Sequence, residues 1–320
     1  MKLKSVFGRI RKDYFVLIGA TIALTLIGSY MVPQFLTIGH QLNLFRRNAV
    51  VGVLSLAQTL AILTSGIDLS VGANMVTVGI ISGLTFSAFS GTSIIVPLIL
   101  LIALGTIIGL LNGVGIGVLR VPPVIMTLGV MTALSGATLI YTGGTFRGAV
   151  PDSLVNFVRA EVGGLPVNGL VWVFLTIVVW LLLRKTKMGR EIYALGSNPV
   201  SSYYSGIQTR KIKVTVYVLA GFLVAIAALL QVGRVRTISL QTAPAGIGLG
   251  FLLSSLTVTV IGGTTFRGGE GGVIGTLIAT FLYGSLRSVL LVLGFQEPAI
   301  RIFSGLVIIV VLVLRGKISR

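Results

Sequence analysis

The 320-residue chain contains no cysteine, one histidine and only 7 acidic residues. The absence of cysteine excludes disulfides, thiolate metal ligands and a thiol nucleophile. His40 alone cannot form the histidine cluster of a zinc site. Charged residues make up 10% of the chain, far below the share of about 25% in soluble domains. This composition excludes an ordinary soluble domain.

Apolar residues dominate what remains, because 54% of the chain is hydrophobic and 42 residues are glycine. Backbone groups in lipid must be hydrogen-bonded within their own segment, so each long apolar run is expected to be a helix. The chain is therefore predicted to be an all-α, polytopic membrane bundle of about ten transmembrane helices. The predicted spans are residues 14–31, 49–63, 69–89, 94–119, 122–141, 167–183, 214–232, 247–261, 273–293 and 299–314.

The distribution of Lys and Arg predicts the orientation of this bundle. The ten-span arrangement places 17 cations on one side and 6 on the other, with Arg287 and Arg301 in or beside helices. Cytoplasmic loops are enriched in Lys and Arg, so the larger set is expected inside. We predict one permease domain over residues 1–320, with both termini cytoplasmic. Residues 1–13 and the loop 184–213 lie inside in this prediction, and the loop 143–166 lies outside.

The formal charge of +18 also raises the question of nucleic acid. The cations are spread over cytoplasmic loops instead of one folded face, so no nucleic-acid partner is expected. Arg287 is the only clear intramembrane cation, and it either snorkels to an interface or packs at a subunit contact.

Few residues could couple transport to an ion or to ATP. Of the acidic residues, only Asp68 is expected at membrane depth, whereas ion-coupled transporters use buried ionisable groups. The chain has no G-x-x-x-x-G-K-[ST] phosphate loop. If ATP drives transport, another subunit must bind it. A membrane enzyme would need paired carboxylates or a metal site, and only isolated acids are present.

The stretch T-S-G-I-D-L-S-V-G at residues 64–72 predicts a helix break. Gly66 permits a tight reversal, Asp68 or Ser70 can cap the next helix, and Gly72 allows close helix approach. On spacing alone, Asp68 could be no more than a helix cap. This string resembles the signature of the sugar-type ABC transporter permeases, the ribose, xylose, arabinose and autoinducer-2 group.

The resemblance extends from about residue 35 to residue 314. V-P-P-V-I-M-T-L-G at 121–129 resembles the opening of that family's fifth span, and residues 186–213 resemble its large cytoplasmic loop. V-I-G-G-T-T-F-R-G-G-E-G-G-V-I-G at 260–275 resembles its glycine-rich turn. The resemblance implies a permease of the bacterial plasma (inner) membrane that has no enzymatic activity of its own. It also implies no cofactor in this chain, with ATP and Mg bound by a partner ATPase.

The cytoplasmic loop contains a predicted short helix. Asn198 is a good N-cap, Pro199 suits the first helical position, and Gly206 ends about two turns. Such a helix either lies on the lipid surface or docks a partner. In the resembled family it fits a groove of the ATPase, and this implies coupling roles for Asn198, Pro199, Tyr203, Tyr204, Gly206 and Ile207.

Neutral polar residues within apolar spans are the candidate translocation path, since polyhydroxy solutes need donors and acceptors without fixed charge. These residues could instead serve only interhelical hydrogen bonds. They include Gln58, Asn74, Asn112, Thr127, Ser254 and Ser255.

The expected function is the membrane-spanning subunit of an ATP-driven importer of a sugar or sugar-like solute. Its expected partners are the cytoplasmic ATPase, an external solute-binding protein, membrane lipid, and a second permease copy or paralogue. A permease for nucleosides or another small polar solute, or a stand-alone facilitator, remains the alternative.

Overall fold

A computed structural model describes residues 2–31, 33–143, 147–236 and 248–318 of the chain. Within these ranges the chain forms thirteen α-helices, one 3-10 helix at Pro33–Leu36 and one two-stranded antiparallel sheet. The first seven helices are α1 (Lys2–Met31), α2 (Ile38–Leu63), α3 (Val71–Ala88), α4 (Ile95–Gly117), α5 (Pro123–Thr142), α6 (Asp152–Arg159) and α7 (Val167–Lys185). The others are α8 (Lys187–Ser197), α9 (Pro199–Tyr204), α10 (Thr209–Val235), α11 (Leu249–Ile261), α12 (Val273–Val292) and α13 (Glu297–Ile318).

All ten predicted spans coincide with helices, namely α1 to α5, α7 and α10 to α13. Residues 1, 144–146 and 247 of the predicted segments lie outside the described residues. Six described helices are long and apolar enough to cross a membrane: α3, α4, α5, α7, α10 and α12. The apolar part of α1, Tyr14–Tyr30, and α11 are shorter. The all-α polytopic class is therefore confirmed, and the number of ten spans stays a prediction.

The predicted external loop has more structure than a polar break. It contains α6, whose Leu154, Val155 and Val158 are buried, and a hairpin of β1 (Glu161–Val162) and β2 (Leu165–Pro166). Gly163 and Gly164 connect the strands with φ of +59° and +78°. Two successive positive φ values suit the tight primed hairpin turns that glycine favours.

Helix α2 forms the centre of the bundle. Every residue from 48 to 63 is buried, and α2 packs against α7, α10, α11 and α12. A helix that is apolar all round belongs in an interior. The central position of α2 brings both of its ends close to several other helices.

A stripe of glycines lets α4 approach α10 closely. Gly105, Gly109, Gly113 and Gly117 recur every fourth residue on one face of α4. A Cβ at any of them would crowd atoms of α10. Small residues at this spacing allow the backbones of membrane helices to come into contact. The stripe holds α10 in place beside the centre of the bundle.

Helix α5 buries polar side chains and exposes apolar ones. Its buried residues are Thr127, Thr138 and Thr142, and the hydroxyls of Thr138 and Thr77 on α3 lie 2.9 Å apart. Val124, Ile125, Leu128, Leu139 and Ile140 are exposed. This exposed face suits contact with lipid or with another protein chain.

Candidate functional site

The break between α2 and α3 is built around a buried carboxylate. Asp68 is 4% exposed. Its Oδ1 accepts hydrogen bonds from the Ser70 backbone N–H at 2.9 Å and from the Ser70 hydroxyl at 2.6 Å. Ser70 occupies the N-cap position of α3 and makes no side-chain capping bond itself. The carboxylate therefore accepts hydrogen bonds from both donors of Ser70 at this turn.

The reversal itself occurs one residue earlier than predicted. Ser65 has φ of +60°, whereas Gly66 lies outside the left-handed region. The backbone N–H groups of Ser65 and Gly66 donate to the carbonyls of Ile62 and Ala61, as in helix ends that close with a left-handed residue. Glycine is needed at position 66 for space, because a Cβ there would overlap the Tyr217 hydroxyl.

Two neighbouring helices fix the break. The Asn112 amide on α4 donates to the Ser70 hydroxyl at 2.7 Å. On α5, the Thr127 hydroxyl accepts from the backbone N–H of Leu69 at 3.1 Å and lies 3.1 Å from the Ile67 carbonyl. The break thus receives side-chain hydrogen bonds from the first turns of α5 and the last turns of α4.

Three chain segments meet beside the break, and we call this meeting point the junction. They are the C-terminal end of α2, the C-terminal end of α8, and the glycine-rich turn 262–272. The backbone N–H of Gly269 donates to the Leu63 carbonyl at 3.0 Å. The Ser65 hydroxyl lies 2.9 Å from the Gly196 carbonyl and 2.8 Å from the Arg267 carbonyl, and can donate to either.

Glycine makes the junction possible. A Cβ at Gly196 would overlap the Leu63 carbonyl and the Gly269 backbone N–H. Gly269 itself has φ of +69°, a conformation that glycine adopts without the strain of a Cβ. Backbone atoms of the three segments are therefore in direct contact.

A tyrosine adds a side-chain bond to the junction. The Tyr193 hydroxyl on α8 donates to the Gly271 carbonyl at 3.0 Å. Burial raises the pKa of Tyr193, which keeps the phenol protonated and able to donate. Helix α8 is thereby tied to the turn that precedes α12.

The predicted short helix in the cytoplasmic loop is confirmed as α9. The Asn198 side chain accepts from the Ser201 backbone N–H at 2.9 Å, as an N-cap does. Gly206 follows the helix with φ of +80°. The side chains of Tyr203 and Tyr204 are 67% and 83% exposed. Helix α9 therefore projects two aromatic rings from the chain, next to the junction.

A cavity of about 260 Å³ lies at the opposite end of the bundle. Helices α2, α10 and α12 form most of its wall, and α13 contributes Glu297. Three arginines line it: Arg47, Arg234 and Arg287. Arg287 forms an ion pair with Glu297 in the first turn of α13, and both side chains are partly exposed. We call this region the arginine cavity.

The six predicted path residues do not converge on one site. Asn112 and Thr127 fix the break, and Asn74 donates to the Gly105 carbonyl at 3.2 Å. The Ser255 hydroxyl donates to the Leu252 carbonyl at 2.9 Å, and both polar side-chain atoms of Gln58 are buried without a partner among the described residues. None of the six lines the arginine cavity. Their translocation role stays a prediction.

Ser254 contacts the wall of that cavity. Its hydroxyl lies 2.9 Å from the hydroxyl of Tyr283, which is part of the cavity wall. From the sequence alone, Arg47 and Arg234 are two of the 6 cations on the side with fewer Lys and Arg residues, and no other role is predicted for them. Their joint placement depends on how α2, α10 and α12 pack, and no local pattern signals that packing.

The fold defines an all-α, multi-pass membrane protein, and comparison with known proteins identifies its family. The sequence model of the family described as "Branched-chain amino acid transport system / permease component" matches residues 41–312. The chain belongs to this family. No solved structure matches it significantly.

The similar curated proteins are import permeases. The chain is 35% identical over 297 residues to the ribose import permease protein RbsC of Haemophilus influenzae, covering 91% of this chain and 89% of that protein. It is 34% identical to RbsC of Bacillus subtilis, covering 92% and 90%. It is 30% identical to the autoinducer 2 import system permease protein LsrD of Escherichia coli, covering 96% and 93%.

These findings confirm the predicted resemblance to the sugar-type ABC permeases. The chain is a permease subunit of an ABC importer, and it is a multi-pass protein of the bacterial inner membrane. The relatives are permeases and not ATPases.

Proposed function

We propose that this chain carries a sugar or sugar-like solute across the membrane while a separate cytoplasmic ATPase binds and hydrolyses ATP with Mg. The names of the similar proteins, which import ribose or autoinducer 2, support this solute class. The observation that carries the proposal is α9, an exposed helix with two aromatic rings that is joined through α8 to the junction. Exposed aromatic side chains commonly anchor protein interfaces.

The proposed topology has ten spans, both termini in the cytoplasm and a single permease domain over residues 1–320. Residues 1–13 and 184–213 lie inside, and residues 143–166 lie outside. The excess of Lys and Arg on one side supports this arrangement. An even number of spans keeps both basic termini on that side.

Two cysteine substitutions test the topology. Ser153 on α6 and Ser201 on α9 are both exposed, and the chain has no native cysteine. A membrane-impermeant maleimide should label Ser153→Cys from outside only and Ser201→Cys from inside only. Labelling of both variants from one side would contradict the ten-span arrangement.

The other proposed partners follow from the same family relationship. An external solute-binding protein would deliver the solute, and a second copy or a paralogue of the permease would complete the path in the lipid membrane. The apolar, exposed face of α5 supports a contact with lipid or with that second copy. No nucleic acid and no cofactor within this chain are part of the proposal.

The contacts at the junction suggest how ATPase movement reaches the membrane. A displacement of α9 would move α8, to which it is joined at Asn198. The end of α8 contacts Leu63 at the end of α2 and the turn that leads to α12. ATP-driven movement would therefore shift α2 and α12 together, because packed elements switch between discrete arrangements.

The docking role of α9 is tested by replacing Tyr203 and Tyr204 with alanine. Both rings are largely exposed, so the permease should fold and insert normally. Loss of two aromatic anchors should reduce retention of the co-expressed ATPase by about tenfold or more. Co-purification on an affinity-tagged permease measures this retention, and solute-stimulated ATP hydrolysis measures coupling.

The control is to neutralise one cation at a time at Arg210, Lys211 or Lys213. If these cations only set the membrane orientation and contact lipid, each single substitution should leave ATPase retention and uptake nearly unchanged. Normal uptake and full ATPase retention in the double-tyrosine variant would show that α9 is not the docking element. Solute uptake by the permease without any ATPase would identify a facilitator.

A further inference from the structure

The arginine cavity has an excess of positive charge that the chain does not neutralise. Among the described residues, its charged lining consists of Arg47, Arg234, Arg287 and Glu297. Only the Arg287 and Glu297 side chains are paired with each other. The lining therefore has a net charge of +2, from three arginines and one glutamate that belong to four different helices.

The nearby carboxylates are already used by other arginines. Asp152 pairs with Arg236 at 2.7 Å, and Glu161 pairs with Arg46 at 2.6 Å. In the part of the chain that the structure describes, neither Arg47 nor Arg234 has a carboxylate oxygen within 4.0 Å. The Arg234 guanidinium donates instead to the neutral Gln231 side chain at 3.1 Å. The Arg159 guanidinium donates to the Arg234 carbonyl at 2.7 Å, so a further cation lies beside the cavity and adds to its positive charge.

Buried hydrogen-bond donors along the wall also lack partners. The Asn48 side-chain amide nitrogen is buried in a residue only 6% exposed, and it has no acceptor among the described residues. The Nε atoms of Arg234 and Arg287 are likewise unpartnered. Buried donors without acceptors cost free energy, so they are expected to face a bound group that accepts hydrogen bonds.

Neutral polar groups complete the lining. Gln231, Tyr283 and Ser288 present an amide and two hydroxyls to the same space. Such groups donate to and accept from hydroxylated compounds. The volume of about 260 Å³ lies below the range of about 300–1,000 Å³ for drug-sized ligands, which suits a solute the size of one monosaccharide.

We propose that the arginine cavity binds a small polyhydroxy solute that carries one anionic group, a carboxylate or a phosphate. Guanidinium groups bind both anions through paired, charge-assisted hydrogen bonds. The anionic group would lie against Arg47 and Arg234, and the hydroxyls would contact the neutral part of the wall. This inference rests on the proposed function only in taking the solute to be sugar-like.

Direct binding to the purified permease in phosphatidylcholine nanodiscs tests the proposal. Isothermal titration calorimetry would compare glucuronate, ribose 5-phosphate and neutral ribose. At least one anionic probe should bind about tenfold or more tightly than ribose, and less tightly as salt is raised. The two anionic probes distinguish a carboxylate from a phosphate. Equal binding of all three probes, or binding of none, would overturn the proposal.

Arginine variants locate the binding site. Arg47→Gln and Arg234→Gln should each weaken binding of the preferred anion by about tenfold. Arg236→Gln is the matched control, because Arg236 lies two residues beyond Arg234 and does not line the cavity. Equal effects of all three substitutions would overturn the proposal, as would unchanged anion binding in Arg47→Gln and Arg234→Gln.

A variant that is expected to bind the anion more tightly distinguishes a change in cavity charge from damage to the fold. Glu297→Gln removes the one negative charge that the described part of the chain contributes to the lining and releases Arg287, so anion binding should tighten several-fold. A damaged fold would not produce this increase. Unchanged or weaker binding in Glu297→Gln would count against the cavity. Because these measurements need no ATPase, failure of the α9 docking experiment leaves them unaffected.

Discussion

The two ends of the bundle are held together by different kinds of contact. At the junction, backbone atoms of α2, α8 and the glycine-rich turn touch directly, and the bonds run mainly to main-chain carbonyls. At the cavity end, long charged side chains form ion pairs and surround an open volume. Direct backbone contact leaves little room for independent movement. The first end suits transmission of movement, and the second suits selection of a solute.

Helices α2 and α12 extend from one end to the other. On α2, Leu63 is at the junction and Arg47 lines the cavity. Leu63 lies sixteen positions after Arg47 in the same helix, which corresponds to a rise of about 24 Å. Helix α12 begins after the glycine-rich turn and carries Tyr283 and Arg287 into the cavity wall. Movement at the junction can therefore change the cavity without an additional relay.

The largest expected effect at the junction is that of Gly196→Val. The new side chain would collide with backbone atoms of Leu63 and Gly269, which cannot rotate away. We expect a loss of about 3 kcal/mol or more in the free energy of unfolding, with loss of uptake. Thermal unfolding of the detergent-solubilised permease measures the first effect.

Gly39→Val is the control for that substitution, since nothing lies within 4 Å of a Cβ at this helical position. Its cost should stay below about 1 kcal/mol, the scale of helix propensity. Similar stability of the two variants would contradict the tight backbone packing assigned to the junction.

Substitutions at Asp68 should have the next largest effect. Asp68→Ala removes the acceptor for two buried donors of Ser70 and should destabilise the permease by about 1–3 kcal/mol. Asp68→Asn keeps an acceptor oxygen and should preserve assembly. We expect it nevertheless to reduce uptake, because the resembled signature carries an aspartate here. Wild-type uptake by Asp68→Asn would restrict Asp68 to its structural role in the turn.

Thr127→Val isolates the contact between α5 and the break. The substitution nearly preserves side-chain shape but leaves the Leu69 backbone N–H without its acceptor. A destabilisation of about 1–2 kcal/mol is expected. Thr127→Ser retains the hydroxyl and should recover most of this loss. If serine and valine behave alike, the methyl packing of Thr127 matters more than its hydrogen bonds.

The sequence predicted the helices well because lipid requires internally bonded apolar segments, and each such run is visible locally. It also predicted α9, since Asn198, Pro199 and Gly206 are local signals for the start and end of a helix. The hairpin was missed because each of its strands has only two residues, too short for an alternating pattern, although Gly163 and Gly164 mark its turn. The arginine cavity depends on contacts between residues more than 180 positions apart, and no local pattern encodes such contacts.

The smallest expected effect at the cavity end concerns the ion pair of Arg236 and Asp152. Both side chains are substantially exposed, so water screens their attraction. Removing the pair with Arg236→Gln or Asp152→Asn should change the free energy of unfolding by less than about 1 kcal/mol. The effect should shrink further as salt is raised, because exposed charges are screened. Unfolding at low and high salt, with both single variants and the double variant, measures the pair directly.

A cost comparable to that of Gly196→Val would mean that ion pairs stabilise the cavity end as strongly as backbone contact stabilises the junction, and the contrast between the two ends would no longer hold.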